Sequence, residues 1–235
     1  MIAILVTRPA GGADPMAAAL KTAGYRVHAV PTIAIHRLQF APPELSKYDW
    51  VVVTSASGVD ALADLPAEPR WAAVGPATAR ALRARGIEPA LVPKMTNGLA
   101  LANAMPDADG KRVLLVRAAA ADPDLPARLR ERGAEVDELA AYATEEGPES
   151  SADPLKAALA DVNMSAVVFG SGSAVRGFIA LGGSTALPAI TIGPRTTAVA
   201  RDLGFRVIAE AKTQSAEALA ALIVGAIPLE ETNRA

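Results

Sequence analysis

At 235 residues, with 51% hydrophobic and 20% charged side chains, the chain has material for a sizeable core and fits two compact domains of ~100–200 residues each. A formal charge of −2, from 23 basic and 25 acidic residues, argues against nucleic acid or an anionic membrane as partner. The lack of cysteine excludes disulfides, thiolate catalysis and cysteine-held metals, and two histidines, His28 and His36, are too few for a multi-histidine metal site.

Met1 to Pro9 lacks the basic start, apolar middle and cleavage site of a secretion signal, so it reads as a first strand of a cytoplasmic chain. Ala13, Met16, Ala17 and Leu20 form a helical stripe that places Met16 in the core, and Gly24 stops the helix. His28, in a strand beside Val27, and His36, after Ile35, are read as structural or surface residues. Trp50–Val53, Val113–Val116 and Ala166–Phe169 are short strands apolar on both faces, the pattern of a parallel sheet covered on both sides. Helices between them are expected to stop at Gly86, Gly133 and Gly204. Asp14, Asp60 and Asp122 are expected near helix starts, and Glu145 to Ser151 is polar and turn-rich like a linker. The uncharged stretch from Gly177 to Pro194 is broken by Gly182, Gly183 and Pro188, so it does not read as a membrane span. Ala218, Leu219, Leu222 and Ile223 form a last helical stripe.

The segments repeat. A shift of 116 residues carries Val51-Val52-Val53-Thr54-Ser55-Ala56-Ser57 onto Val167-Val168-Phe169-Gly170-Ser171-Gly172-Ser173, and a shift of 118 carries Gly75-Pro76-Ala77-Thr78 onto Gly193-Pro194-Arg195-Thr196. A shift of 109 carries Arg8 onto Arg117. The fold class is therefore α/β, with two doubly wound parallel-sheet domains.

Ligands of such sheets bind beyond the carboxyl ends of the strands, where loops lead into helix N-termini. The repeated loops occupy those places, and their hydroxyls and free N–H groups suit carboxylates or phosphates. Helix capping alone explains the same residues, and both readings stand. There is no GxGxxG, Walker loop, HExxH or GxSxG, which leaves nucleotide hydrolysis, dinucleotide redox chemistry, zinc proteolysis and serine hydrolysis without support. Tyr142 lies in the passage between the repeats, either packed at a boundary or presenting its phenol to a cleft.

Val6-Thr7-Arg8-Pro9, Tyr48 to Val59, Ala73 to Ala79, Lys111 to Arg117, Tyr142 and Ile192-Gly193-Pro194, in this order, resemble the uroporphyrinogen-III synthase family over nearly the whole chain. The resemblance implies two α/β domains joined by a two-stranded antiparallel β linker: residues 1–35 with 147–235 form one, 39–140 the other, and 36–38 and 141–146 the linker. It also implies a cofactor-free lyase; a monomer is expected separately, because the assigned helix faces leave no large exposed apolar helix over. Hydroxymethylbilane would lose its hydroxyl, attack itself at the substituted carbon of ring D and reclose through a spiro intermediate as uroporphyrinogen III. Carried over by position, Tyr142 assists hydroxyl loss, and Thr54, Ser55, Ser57, Ser171, Ser173 and Thr196 bind substrate; Arg8 is a further expected contact, and Arg195, a departure from the family pattern, is expected to pair with a substrate carboxylate. The second loop departs from the family's Thr-Ser-Pro-Ser, reading Gly170-Ser171-Gly172-Ser173 here, and Arg195 stands where a small or hydroxyl residue is common. The rival reading is a non-catalytic two-domain module that closes on a small anion, with a regulatory domain third.

Overall fold

A computed structural model of the chain describes residues 1–7, 15–212 and 216–229. The chain divides into two units, Met1–Ala34 with Glu145–Ala235, and Ile35–Thr144. It passes between them twice, within β3 (Ile33–Arg37) and within β7 (Glu135–Glu146).

The first unit holds β1 (Ala3–Thr7), α1 (Pro15–Thr22), β2 (Arg26–Ala29), α6 (Ala152–Leu159), β8 (Met164–Phe169), α7 (Gly172–Ala180), β9 (Ala189–Thr191), α8 (Pro194–Asp202), β10 (Val207–Glu210) and α9 (Ala216–Ala226). Its sheet has the order β10-β9-β8-β1-β2, with every recorded pairing parallel. The central strands are apolar on both faces because both faces are covered. Ile4, Val6, Ala166 and Val168 pack with α1 and α9, while Leu5, Val167 and Phe169 pack with α6, α7 and α8. On the latter side the rings of Phe169, Phe178 and Phe205 meet at 5.2–5.9 Å between centroids and hold α7 to the end of β8.

The second unit holds β4 (Trp50–Val53), α2 (Ala56–Ala61), β5 (Arg70–Ala73), α3 (Pro76–Ala84), α4 (Gly98–Ala104), β6 (Arg112–Ala118), α5 (Asp124–Glu131) and most of β7, in a sheet of order β3-β7-β6-β4-β5. Val51, Val53, Leu114 and Val116 face α2 and α3; Trp50, Val52, Val113 and Leu115 face α4 and α5. The α/β architecture with two parallel, doubly covered sheets is the one the apolar strands imply.

The repeat accounts for the sheet orders. β9-β8-β1-β2 of the first unit matches β5-β4-β6-β7 of the second, strand for strand. The same 118-residue shift that relates the Gly-Pro loops carries the Ala72–Leu91 bridge onto the Ala209–Ile190 pair, so β10 has a one-residue remnant in the second unit. The two units differ in chain order: β1 and β2, which would follow β10 by analogy with β6 and β7, precede everything else. Equivalent helices α3 and α8 both end at glycines in the left-handed region, Gly86 at φ +81° and Gly204 at φ +89°.

The Leu38 N–H donates to the Ala141 carbonyl and the Gly147 N–H to the Thr32 carbonyl, so β3 and β7 run antiparallel. Residues 36–38 and 141–146 thus continue an edge of the second sheet, and Glu145 and Glu146, read as linker in sequence, belong to a strand. Where this ladder meets the first unit, Thr32 is fully buried. Its hydroxyl donates to the Ala174 carbonyl at 2.9 Å, and its carbonyl lies only 1.9 Å from where a Cβ on Gly177 would be. Arg176, on the same helix, makes a bidentate ion pair with Glu146 at 2.6–3.0 Å.

At the amino ends of the first sheet, Asp161 accepts from His28 at 3.0 Å, from Arg26 at 3.0 Å and from the Asn163 backbone. His28 is thus a structural partner. Of the aspartates expected at helix starts, Asp122 accepts from the Asp124 N–H before α5, Asp60 instead lies in the last turn of α2, and Asp14 falls outside the described residues. No helix among the described residues is long and apolar enough to cross a membrane.

Two outcomes follow from this packing. Gly177→Ala drives a methyl group into a backbone carbonyl and is expected to cost about 3 kcal/mol or more, read as a lower denaturation midpoint at unchanged slope. The hydrogen bonds from His28 and Asn163, with Arg26, hold the Asp161 carboxyl below its ordinary value of 3.8. A depressed carboxyl stabilises the fold above its unfolded pKa and loses that contribution as pH falls. The melting-temperature gap between wild type and Asp161→Asn is therefore expected to be widest at neutral pH and to close below about pH 4; a gap that does not narrow in acid contradicts the ion pair's role.

Candidate active site

In each sheet the chain order reverses between two adjacent central strands: β8 and β1 in the first, β4 and β6 in the second. Brackets of loops at the carboxyl ends of such strand pairs are where ligands enter doubly wound sheets. In the second unit, Thr54 closes this point, its N–H and hydroxyl both directed at the Val116 carbonyl at 3.2 and 3.4 Å. In the first unit, Thr7 donates to the Val168 carbonyl at 2.8 Å in the equivalent place.

The candidate serines separate into two kinds. Ser55 and Ser171 are N-caps, accepting from the Gly58 and Ala174 N–H groups at 3.0 and 3.1 Å. Ser57 and Ser173, two residues further on, are half-buried and have no hydrogen-bond partner among the described residues. Capping therefore consumes one hydroxyl of each loop and leaves the other available.

The Gly-Pro loops also differ from one another. Gly75 and Gly193 are the N-caps of α3 and α8, each with proline at the first helical position, where its missing N–H costs nothing. A Cβ on Gly75 would lie 2.3 Å from Thr96 Cγ2, whereas one on Gly193 would meet nothing among the described residues. The α3 loop is covered by Thr96, a neighbour that no sequence pattern marks, and no described residue covers Gly193 in the same way. Thr196 is buried in the first turn of α8 and caps nothing. Thr197 next to it shares a 2.6 Å hydrogen bond with Thr191 at the end of β9, which fixes that turn to the sheet. Arg195 is exposed with no partner among the described residues. A cation in the first turn opposes the helix dipole, so its charge is available to an anion instead.

None of α2, α3, α7 and α8 carries an acidic residue in its first turn, whereas α5 has Asp124 and α6 has Asp153. The helices that open at the repeated loops thus keep their positive ends free of built-in carboxylates. The glycines that replace the family's Thr and Pro in the second loop have distinct settings. Gly170 faces open space, while a Cβ on Gly172 would come within 2.9 Å of Val199, so glycine there permits the close approach of α7 and α8.

Tyr142 lies on β7 and packs on the face of the second sheet that carries α2 and α3. Simple alternation would put it on the opposite face. Val136 packs with α4 and α5, and 138, 140 and 142 share its parity. The ladder between β6 and β7 slips at this point, however: Arg117 pairs with Ala140 and Ala118 with Tyr142. Ala141 is the extra residue of a β-bulge, which leaves Ala141 and Tyr142 both on the α2 face. The Tyr142 phenol has no hydrogen-bond partner among the described residues. Arg8 lies outside the described residues. Within the second unit the fold thus places Thr54, Ser55, Ser57 and Tyr142 on one sheet's carboxyl side; within the first it gathers Ser171, Ser173, Arg195 and Thr196.

A family model described as uroporphyrinogen-III synthase HemD matches residues 14–221. The uroporphyrinogen-III synthase of Synechococcus elongatus is 29% identical over 243 residues, covering 92% of this chain and 92% of that protein. The porphyrin biosynthesis protein HemD of Ruminiclostridium josui is 28% identical over 232 residues, covering 89% of this chain; the chain spans only 46% of that longer relative. Among solved structures, uroporphyrinogen-III synthetase from Helicobacter pylori superposes with a TM-score of 0.70 at 18% identity, covering 96% of this chain and 99% of that one. A mutant uroporphyrinogen III synthase from Thermus thermophilus gives 0.65 at 20% identity, covering 96% and 97%. The two structures share the fold, and with a family match over residues 14–221, most of the chain, the chain belongs to the uroporphyrinogen-III synthase family of cyclising lyases.

Proposed function

We propose that the chain converts hydroxymethylbilane to uroporphyrinogen III in porphyrin biosynthesis, closing the linear tetrapyrrole with its last ring inverted. The observation that carries this reading is the phenol of Tyr142, without a hydrogen-bond partner among the described residues and turned by a bulge onto the face of α2, whose N-terminal loop offers Ser57 and backbone N–H groups.

The reaction asks little of the protein beyond placement. Lone-pair donation from a pyrrole nitrogen expels the terminal hydroxyl, and Tyr142 Oη hydrogen-bonds the departing oxygen as it gains a proton and leaves as water. The substituted carbon of ring D bonds to the methylene so exposed, giving the spiro intermediate. The bond from that carbon to its old bridging methylene then breaks, and the methylene rejoins ring D at the other carbon beside nitrogen, which sheds its proton. Holding a flexible chain in the spiro-forming geometry is the larger contribution.

Eight carboxylates make the substrate polyanionic, and the acid-free helix starts of α2, α7 and α8 suit them. Ser57, Ser173, Thr196 and Arg195 supply side-chain contacts, with Thr54 and the capping Ser55 and Ser171 shaping the loops; Arg8 is assigned with them from its sequence position alone.

Freshly generated hydroxymethylbilane, followed by oxidation and separation of the uroporphyrin isomers, tests the assignment. Predominantly type III product supports it; only the spontaneous type I isomer from folded protein overturns it. Tyr142→Phe is expected to lower kcat by about a hundredfold with an unchanged melting temperature. The serines are expected to part company. Ser55→Ala and Ser171→Ala each lose about 1 kcal/mol of stability, whereas Ser57→Ala and Ser173→Ala raise KM without that loss. Equal stability costs at all four positions contradict the division into caps and contacts.

A further inference from the structure

We propose that Arg117 is a positioning residue for Tyr142, acting through the bulge that turns the phenol onto the α2 face; this rests on the function proposed above. Among the described residues, Arg117 is the one charged residue in the buried class, at 6% exposure. A buried guanidinium needs compensation in full, and removing its partners leaves a costly charge. Its two ties are specific: one nitrogen meets Glu138 Oε2 at 2.8 Å on β7, and the other donates to the Asp122 carbonyl at 2.6 Å. Glu138 is held in turn by Arg130 at 2.9 Å.

These ties flank the bulge. Arg117 is the last residue of β6 in regular register with β7; the slip begins at Ala118. The Ala119 N–H then donates to the Tyr142 carbonyl at 2.8 Å, and the Leu38 N–H on the other side of β7 donates to the Ala141 carbonyl at 3.1 Å. Residues 119–122 form a clasp, fixed at one end to the Tyr142 backbone and at the other to the Arg117 side chain. Loss of the second tie frees the loop that holds the first. The bulge is then held at Ala141 from the β3 side alone, by the Leu38 N–H, and the phenol's direction, which depends on the register with β6, relaxes. Glu138 keeps the guanidinium in its plane while leaving the Asp122 carbonyl to the second nitrogen, a two-partner geometry that the arginine fork provides and a lysine ammonium does not.

The test is a double-mutant cycle of Arg117→Gln and Tyr142→Phe in the full chain, read as kcat and KM for type III formation with each variant's folded fraction measured by circular dichroism. Arg117→Gln is expected to lower kcat by about tenfold or more with KM changed by less than about twofold. In the Tyr142→Phe background the same change is expected to lower kcat by less than about twofold. Arg117→Lys, which keeps the charge for Glu138, is expected to fall between wild type and Arg117→Gln. A tyrosine 13Cζ spectrum gives an independent reading, since the chain has three tyrosines and Tyr142→Phe identifies the signal of Tyr142. That signal is expected to move in Arg117→Gln while the signal of Tyr25 stays. Equal kcat losses in both backgrounds, a Tyr142 signal that does not move, or loss of folding in both Arg117 variants overturns the inference and leaves Arg117 a stability residue. Full activity in Tyr142→Phe overturns it as well. A wild type that yields no type III product instead overturns the function itself.

Discussion

Thr32 carries the constraint on which the first unit's hold on the two crossing strands depends. Its carbonyl accepts the Gly147 N–H, its hydroxyl is spent on the Ala174 carbonyl, and its backbone lies against Gly177 more closely than any side chain allows. The start of β3 and the end of β7 are thereby fixed to α7, with the Arg176–Glu146 ion pair beside them. Fully buried backbone groups must find partners, and here each partner comes from a segment distant in sequence. The short ladder of β3 and β7 could not be stable as an isolated pair of strands. Anchored at Thr32 at one end and continued into the second sheet at the other, it is the covalent route between units whose cores are otherwise complete. The same α7 begins at the Ser171 loop, so one helix carries both an acid-free start and the anchorage of the connection.

Much of this was legible in the residues. Uninterrupted apolar strands announced parallel sheets covered on both faces, and Val51-Val52-Val53 recurring as Val167-Val168-Phe169 announced that there are two. The shared strand order, down to the Leu91 remnant of β10, is the spatial form of that repeat. The permuted position of β1 and β2 is a different matter: nothing local to Met1–Ala34 tells which sheet it joins, and only the family resemblance supplied that grouping. The candidate site was legible in its loops and not in its geometry. Alternation along β7 would have placed Tyr142 with Glu138 and Ala140 on the α4 face. The bulge that reverses it depends on pairing between β6, β7 and β3, a nonlocal property that no one strand encodes. Thr96 over Gly75 and the burial of Arg117 were hidden for the same reason, since each follows from the approach of segments far apart in sequence.

The chemistry matches the sparseness of the site. A substrate that becomes electrophilic once its hydroxyl departs needs a hydrogen-bond donor at the leaving oxygen and many small attachments along its length. In the proposed reading helix N-termini provide the attachments through backbone groups, which place few demands on side-chain identity. This accounts for how a chain of net charge −2 can address a polyanion: the positive potential is local, made of acid-free first turns and Arg195, and does not require a basic surface. It accounts equally for the glycine-rich second loop, where Gly172 exchanges a side chain for closer packing of α7 on α8 and leaves the N–H groups in place.

The central claim is that carboxylates are bound at the carboxyl ends of both sheets, by backbone N–H groups of the repeated loops. Amide NMR of the wild-type chain titrated anaerobically with uroporphyrinogen III addresses it directly. The account predicts that the largest shifts fall on residues 55–58, 171–174 and 193–196. Shifts confined to the opposite end of the second sheet, where Phe40, Pro42, Leu45, Leu62 and Pro66 line a groove before β4 and β5, would contradict it.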